Sequence, residues 1–207
     1  MKLVLISDTH ARHRKVNVPD GDILVHAGDV TITGEFRVLE DFHTWLGELP
    51  HKHKIVIPGN HDFGAENWRK LPFTNGTLLL DEAVTVEGLK FYGSPFTPTF
   101  FDWAFMLPRG KTIYEKWLQI PHDTDVLITH GPPYGILDWA PYSKEHAGCH
   151  DLRNVVDAIR PKLHVFGHIH AGYGQHLYGE DKQTLFVNAS VVNEAYQPVN
   201  QPIVVEL

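Results

Sequence analysis

Amide, carboxylate and imidazole side chains stand directly after short apolar runs in this chain. The densest example is Pro58-Gly59-Asn60-His61-Asp62, which follows the apolar run Ile55-Val56-Ile57. Asn60 offers a neutral oxygen ligand, and His61 offers a ring that titrates near neutral pH. Gly59 allows backbone angles that a residue with a Cβ resists. Taken alone, this stretch is more typical of a turn than of a reactive site.

The same arrangement recurs at other places along the chain. Apolar runs lead into Ser7-Asp8-Thr9-His10, Gly28-Asp29, Thr129-His130 and Gly167-His168-Ile169-His170. Apolar runs without alternation are typical of strands buried on both faces, and ligands gather outside the ends of such strands. Asp8 and His10 are two residues apart, and so are His168 and His170. In extended chain this spacing points both side chains of a pair to one side.

Each piece alone also has an ordinary structural explanation. Asp-Thr-His is a common tripeptide, Gly-Asp is nearly uninformative, and a His-x-His pair lies at the surface more often than it binds metal. Chance is a poor explanation for all of them in this order, each at a predicted strand end. The pattern therefore predicts a metal site at the strand ends. Mixed nitrogen and oxygen donors suit Mn, Fe, Zn or Ni, without choosing among them.

In this order, the motifs resemble those of the calcineurin-like metallophosphoesterases. They are Asp8-Thr9-His10, Gly28-Asp29, Gly59-Asn60-His61-Asp62, Thr129-His130 and Gly167-His168-Ile169-His170. A narrower similarity, to the metallophosphoesterase-domain-containing group close to class III cyclic nucleotide phosphodiesterases, lies in His130-Gly131-Pro132-Pro133, Gly135-Ile136-Leu137-Asp138, Asn188-Ala189-Ser190 and Pro202-Ile203-Val204. The resemblance implies a four-layer α/β/β/α sandwich of two mixed sheets flanked by helices, with two metals at the strand ends.

The resemblance also implies a role for each residue of the motifs. It implies ligands for a first metal: Asp8, His10, Asp29 and His170. It implies ligands for a second metal: Asp29, Asn60, His130 and His168. Asp29 would bridge the pair, His61 matches a catalytic histidine that binds no metal, and Asp62 would orient His61. Manganese is the favoured metal.

These residue types suit the hydrolysis of phosphoric esters. Asp8 and Asp29 cancel half of the charge of two divalent ions, so the remaining positive charge favours an anionic phosphate. A water held between metals roughly 3.5–4 Å apart would be acidified to a bridging hydroxide that attacks phosphorus in line. His61 would protonate the leaving alkoxide, a role typically worth about 10²–10⁴-fold. We expect a phosphodiesterase of small esters, with cyclic nucleotides as candidate substrates.

Other functions share this constellation. Protein phosphatases and phosphomonoesterases of the superfamily usually follow Gly-Asp with Asp-Arg-Gly, whereas Gly28-Asp29 leads here into Val30-Thr31-Ile32-Thr33-Gly34. A nuclease would need a wider basic surface. A non-catalytic scaffold of the same fold, such as the one in retromer, typically loses metal ligands. This chain keeps them, which favours catalysis.

Composition limits the class of protein. The chain has 207 residues, 43% of them hydrophobic and 21% charged, which predicts one domain over residues 1–207. A formal net charge of −7 argues against binding extended nucleic acid. Cys149 is the single cysteine, and no apolar run reaches signal-peptide or membrane-spanning length. The expected setting is cytoplasmic, with a small phosphoester partner, a nucleotide among the candidates, no membrane, and a homodimer under consideration.

The elements that must position the motifs follow from periodicity and turn residues. Helices are predicted over 35–49, 65–70, 112–120 and from His150 or Asp151 onward, with Thr112 and Glu115 at capping-box spacing. Strands are predicted over 77–80, 83–86 and 89–92, as a meander that opens the second sheet, and over 175–178, 184–188 and 203–206.

Three regions are open to two interpretations. Residues 94–110 are rich in Phe and Pro, and they either pack under a loop or at a subunit contact, or form an aromatic wall able to stack a base. The loop after His130, with Trp139 and Tyr142, is expected to shape a pocket rim. Residues 12–14 favour a solvated loop over a phosphate contact. His26 is predicted to neighbour the site or belong to the core.

Overall fold

The computed structural model describes residues 1–70, 73–180 and 183–207. The helices are α1 (Phe36–Glu48), α2 (Lys111–Trp117) and α3 (His150–Ile159), with 3-10 turns at His13–Lys15, Ala65–Lys70 and His170–Gly172. The strands are β1 (Lys2–Ile6), β2 (Ile23–Ala27), β3 (His53–Ile57), β4 (Thr77–Leu78), β5 (Glu82–Val86), β6 (Leu89–Ser94), β7 (Thr97–Pro98), β8 (Met106–Leu107), β9 (Val126–Thr129), β10 (Trp139–Ala140), β11 (Glu145–His146), β12 (Leu163–Phe166), β13 (Gly174–Tyr178), β14 (Thr184–Asn188) and β15 (Ile203–Glu206).

The first sheet has the strand order β15-β1-β2-β3-β4. Strands β1 to β4 run parallel, and β15 joins β1 antiparallel at the edge. Because the strands are apolar on both faces, each face needs a cover. On the outer face Val4, Ile6 and Leu24 pack in one cluster with Phe42 and Leu46 of α1.

The second sheet has the order β13-β14-β12-β9-β6-β5. Its central strands β14, β12, β9 and β6 are parallel, and the edge strands β13 and β5 are antiparallel to their neighbours. Its outer face is covered by α2 and α3, where Leu127 and Phe166 share a cluster with Trp117, Leu152 and Val156.

The inner faces of the two sheets form one shared core. Leu5, Val25 and Ile55 of the first sheet lie in one buried cluster with Ile128 and Val165 of the second. The layers therefore run helix, sheet, sheet, helix, and both sheets are mixed. This is the α/β/β/α sandwich that the resemblance implies, and the structure confirms it.

The predicted meander over residues 77–92 is wrong in one respect, because it is divided between the two sheets. Strand β4 pairs with β3 in the first sheet, whereas β5 and β6 belong to the second. The chain crosses between the sheets near Asp81, which has a φ of 55°. Asp81 accepts hydrogen bonds from Ser94 and Lys116, and these bonds attach the crossing to the second sheet.

The helices match the sequence prediction more closely in the middle than at their ends. Helix α1 lies within the predicted 35–49 and α3 begins at His150. The capping box at Thr112 does not form, because α2 begins one residue earlier, after Gly110, whose N–H donates to Asp151 at 3.0 Å. In the described part of the chain, no helix is both long enough and apolar enough to cross a bilayer.

Candidate metal centre

The carboxyl ends of the parallel strands meet at one edge of the sandwich. Asp8 and Asp29 follow β1 and β2 of the first sheet, and His130 follows β9 of the second. Cross-links between the sheets hold this edge together, since Val191 N donates to Ser7 O at 3.0 Å. The N–H of His168, just beyond β12, donates to the Asp8 carboxylate of the first sheet at 3.1 Å. The strand ends predicted from the sequence therefore meet.

One group of donor atoms forms around Asp8. The Nε2 atoms of His10 and His170 are 3.4 Å apart. The Asp8 Oδ1 atom lies 3.5 Å from His170 Nε2 and 4.0 Å from His10 Nε2. These three side chains are close enough together to hold one metal ion. They are three of the four ligands predicted for the first metal.

A second concentration of donors forms around Asp29. Its Oδ2 atom lies 3.3 Å from His130 Nε2 and 3.7 Å from His10 Nε2, so this carboxylate reaches both groups. Asn60 Oδ1 lies 2.9 Å from the same His130 Nε2. Two further groups that could hold an ion share Asp29, one with Asp8 and His130, the other with His10 and His61. Asp29 therefore lies beside donors from both groups.

His168 is less closely placed than the other predicted ligands. Its ring lies 5.1 Å from the ring of His130 and 5.4 Å from that of Phe100. Within the described ranges, it is outside the three compact donor groups. Its backbone N–H, in contrast, contacts Asp8 directly.

Two glycines of the motifs are required by close packing against the carboxylates. A Cβ at Gly59 would lie 2.2 Å from Asp29 Oδ1, and a Cβ at Gly167 would lie 2.0 Å from Asp8 Oδ2. Real Cβ atoms do not approach oxygen so closely, because their van der Waals radii overlap. The glycines therefore bring backbone right up to the acids, which explains their place in the motifs.

The geometry that brings the pairs together differs from the predicted one. The prediction of extended chain at Asp8 and His10 is wrong, since both have left-handed backbone, with φ of 57° and 40°. His168 likewise has a φ of 65°, and His170 begins a 3-10 turn. Left-handed backbone in a residue other than glycine is strained, and such strain concentrates at functional sites.

The carboxylates remain ionised despite complete burial. Burial by itself raises the pKa of Asp8, but His170 beside it holds that pKa well below its usual range. Burial likewise opposes ionisation of Asp29, whose pKa is lowered by His130. In the same pair, burial lowers the pKa of His130 but the Asp29 charge raises it to about 9. The protein thus stabilises two buried negative charges with nearby imidazolium.

This arrangement fits metal cations. Imidazole nitrogens and carboxylate oxygens converge from several strands, and both carboxylates are ionised and need a positive partner. Burial lowers the pKa of His10 to about 4, so its ring is neutral and has a lone pair to offer. Binding a cation would replace the protons that compensate the acids.

His61 and Asp62 have different surroundings, and the hydrogen bonds of the Asp62 carboxylate go to other groups than the His61 ring. His61 Nδ1 lies 2.7 Å from the carbonyl oxygen of Ile32. The Asp62 carboxylate instead accepts from the N–H groups of Val30, Thr31 and Gly59 and from the Thr31 hydroxyl. Burial and the neighbouring Asp29 charge raise the pKa of Asp62 to about 6. Asp62 therefore fixes the loop that carries the Ile32 carbonyl.

A pocket of about 640 Å³ opens above these residues. Trp103 packs on His61 with ring centroids 4.2 Å apart, and Phe100 and Phe101 lie beside it in the same wall. Tyr142 extends from the loop after His130, as the sequence predicts for a pocket rim. Residues 94–110 therefore contribute aromatic side chains to the pocket, whereas Phe96 and Phe105 of the same segment pack against the buried clusters.

Tyr196 is a pocket residue that the sequence does not identify. Its ring lies 4.7 Å from the ring of His10 and 5.2 Å from that of His170. It belongs to a turn organised by Asn193, whose Oδ1 accepts from the N–H groups of Ala195 and Gln197. Asn193 is a turn signal in the sequence, but such a signal does not say which part of the fold the turn will reach.

The residues around the first motif mostly support structure. His13 and Arg14 bind the Asp41 carboxylate at 2.9 and 2.8 Å, as the solvated-loop interpretation predicts for Arg14. His26 lies between the core and the site, with its Nε2 atom 3.0 Å from Thr9 Oγ1. Burial lowers the pKa of His26 to about 3, so this neutral ring links the loops that carry the acids.

Comparison with known proteins gives concordant results. The model of the calcineurin-like phosphoesterase family matches residues 1–172. The chain is 44% identical to metallophosphoesterase domain-containing protein 1 of Homo sapiens over 233 aligned positions, which cover 100% of this chain and 71% of the human protein. The phosphopantetheinyl hydrolase of Mycobacterium tuberculosis shares its fold, with a TM-score of 0.60 at 15% identity, covering 98% of this chain and 95% of that one.

Proposed function

Because this chain belongs to the calcineurin-like phosphoesterase family, we propose that it is a binuclear-metal phosphodiesterase acting on small esters. The observation that carries the proposal is the convergence of Asp8, His10, Asp29, His130 and His170 at one strand edge. Two metal ions, when bound there, supply Lewis acidity that polarises the ester and lowers the pKa of a water. Manganese is the metal we propose to test first.

The proposed ligands divide between two ions as the family resemblance implies. We assign Asp8, His10 and His170 to the first ion and Asn60, His130 and His168 to the second, with Asp29 shared. The reach of Asp29 Oδ2 toward both His10 and His130 supports the shared position. His168 is the least supported member, since its ring stands apart from the compact groups.

We assign proton transfer to the leaving oxygen to His61. A carbonyl oxygen can only accept a hydrogen bond, so the 2.7 Å contact with Ile32 O requires the hydrogen to be on His61 Nδ1. In the doubly protonated ring His61 Nε2 then carries the proton that passes to the leaving group, and the ring is left neutral with its hydrogen on Nδ1. Trp103 also packs against the His61 ring, with the two ring planes tilted by 31°.

The diester preference rests on the shape of the pocket. A diester carries organic groups on two oxygens of phosphorus, and aromatic surfaces reach the site from two separate segments, at Trp103 and at Tyr196. Aromatic rings stack on any nucleobase. Cyclic nucleotides are therefore the first substrates to test.

The deciding experiment compares two substrates on the manganese-reconstituted protein. Metal content is determined first, and kcat/KM is then measured for bis(4-nitrophenyl) phosphate and for 4-nitrophenyl phosphate. We expect the ratio of diester to monoester to be well above one. A ratio well below one would instead identify a phosphomonoesterase. Bound metals with no turnover of either ester would identify a scaffold of this fold.

A further inference from the structure

Arg109 is the one lysine or arginine among the described residues that line the pocket. It lies just before α2, and its guanidinium contacts the loop that follows β11. Nη1 donates to the carbonyl of Gly148 at 2.8 Å, and Nη2 donates to that of Ala147 at 2.9 Å. Both partners are neutral.

Among the described residues, the exposed Arg109 side chain therefore has no ion-pair partner. In the described ranges, no carboxylate lies within 4.0 Å of its guanidinium, although Glu145 and Glu194 line the same pocket. Glu194 is engaged by the N–H of Ala171, and Asp151, which is close in the fold, accepts from Gly110 N. Arginine has five N–H donors, so two bonds to carbonyls leave three unused.

A buried acid fixes the loop whose carbonyls bind Arg109. Asp138 is almost fully buried, and its Oδ2 accepts from the N–H groups of Gly135 and Gly148 at 2.8 and 3.1 Å. Its Oδ1 lies 2.7 Å from His146 Nδ1, and its carbonyl accepts from Ala147 N. The carbonyls that hold Arg109 thus belong to a loop fixed from within.

We propose that Arg109 forms an anion subsite that selects phosphoesters carrying a second negative group, a carboxylate or a phosphate, on the organic part. This proposal rests on the function proposed above and specifies its substrate class. A fixed, uncompensated guanidinium binds carboxylate and phosphate with charge-assisted hydrogen bonds. Such a group adds binding without taking part in the reaction at phosphorus, so Arg109 determines affinity and specificity.

Binding of matched phosphonates to the manganese-loaded protein tests the subsite without relying on turnover. Alkylphosphonates of three chain lengths are compared by calorimetry, each with and without a terminal carboxylate. The carboxylate is expected to tighten binding to the wild-type protein by about 10- to 100-fold at the chain length that reaches Arg109. Arg109→Gln is expected to abolish this advantage, and Arg109→Lys to retain part of it.

Lys144→Gln is the matched control, because it removes one exposed positive charge from the rim loop without touching the pocket lining. This variant is expected to keep the carboxylate advantage. The proposal is overturned if the carboxylate gives no advantage at any chain length, or if Arg109→Gln keeps it. A purely structural role for Arg109 would weaken both members of each pair equally. Plain phosphonates that bind while esters are not hydrolysed would overturn the proposed function and leave the subsite standing.

Discussion

The floor and the rim of the pocket are built in opposite ways. The floor consists of Asp8, His10, Asp29, Asn60 and His130, each at a strand end and at most 2% exposed. The rim consists of Phe100, Phe101, Trp103, Tyr142 and Tyr196, all on loops, with Phe101 74% and Tyr142 99% exposed. The floor is charged and the rim is aromatic.

This difference assigns different tasks to the two regions. The floor is fixed by the strand ends and by backbone contacts such as His61 N to Asp29 Oδ1 at 2.9 Å. Such positioning suits groups that must hold metals and protons at defined points. The five aromatic side chains of the rim offer surface without charge, so they can determine which organic group fits. Floor variants should therefore change turnover, and rim variants should change affinity.

The largest effect is expected for Asp29→Asn, which tests whether the floor is one unit. The change removes the charge shared by the His10 and His130 sides, so we expect loss of metal from both positions and of about 10³-fold or more in kcat/KM. Elemental analysis and kinetics measure the two losses. Asp102→Asn, at an exposed position, is the control. Full metal occupancy in Asp29→Asn would disprove the bridging role.

His61→Ala tests whether His61, which lies beside the floor, acts as a proton donor and not as a metal ligand. We expect full metal content and a loss of about 10²–10⁴-fold in kcat. The loss should be greater for an alkoxide leaving group than for 4-nitrophenolate, because the poorer leaving group depends more on protonation. Loss of metal in parallel with activity would make His61 a ligand, as its grouping with His10 and Asp29 allows.

Trp103→Leu tests the rim. We expect KM for 2′,3′-cyclic AMP to rise by about 5- to 100-fold, since stacking of one base contributes about 1–3 kcal/mol. KM for methyl 4-nitrophenyl phosphate should change much less. Tyr114→Leu, which removes an exposed aromatic ring outside the pocket lining, is the control. Equal losses for both substrates would mean that Trp103 supports His61 instead of the substrate.

The floor could be predicted from the sequence and the rim only in part. Strand ends carry local signals, since a buried apolar run, a glycine and a donor are adjacent in the chain, as at Gly59-Asn60-His61. Tyr196 approaches His10 across 186 positions, and loops give no local signal for such a distance. The contact of Ile32 O with His61 could not be predicted, because every residue has a backbone carbonyl and the sequence does not mark which one will reach the site. The single-domain organisation, the homodimer and the cytoplasmic setting stay predictions.

Two buried histidines, His164 and His130, differ in pKa in opposite directions, so burial alone does not explain the chemistry of the floor. His164, on β12 in the second sheet, is as buried as His130, and its Nε2 lies 2.8 Å from Thr129 Oγ1. Among the described residues no acid lies beside it, and burial lowers its pKa to about 3, whereas Asp29 raises that of His130 to about 9. The reactive character of the floor therefore comes from its carboxylates.

The titration of His164 predicts an acid dependence of stability. The pKa is about 3 in the folded protein and about 6.5 when unfolded, so between these values the unfolded chain binds the extra proton. Stability is then fully present above about pH 6.5 and falls by up to about 1.4 kcal/mol per pH unit on acidification toward pH 3.

His164→Gln keeps a polar group near Thr129 but cannot titrate. The free energy of unfolding is measured by urea for both proteins at pH 7.5 and at pH 5. On going to pH 5, the wild type should lose about 2 kcal/mol more stability than the variant. If the difference in stability between wild type and variant is the same at both pH values, folded His164 takes up a proton as readily as the unfolded chain does. Burial without a carboxylate would then not keep this histidine neutral.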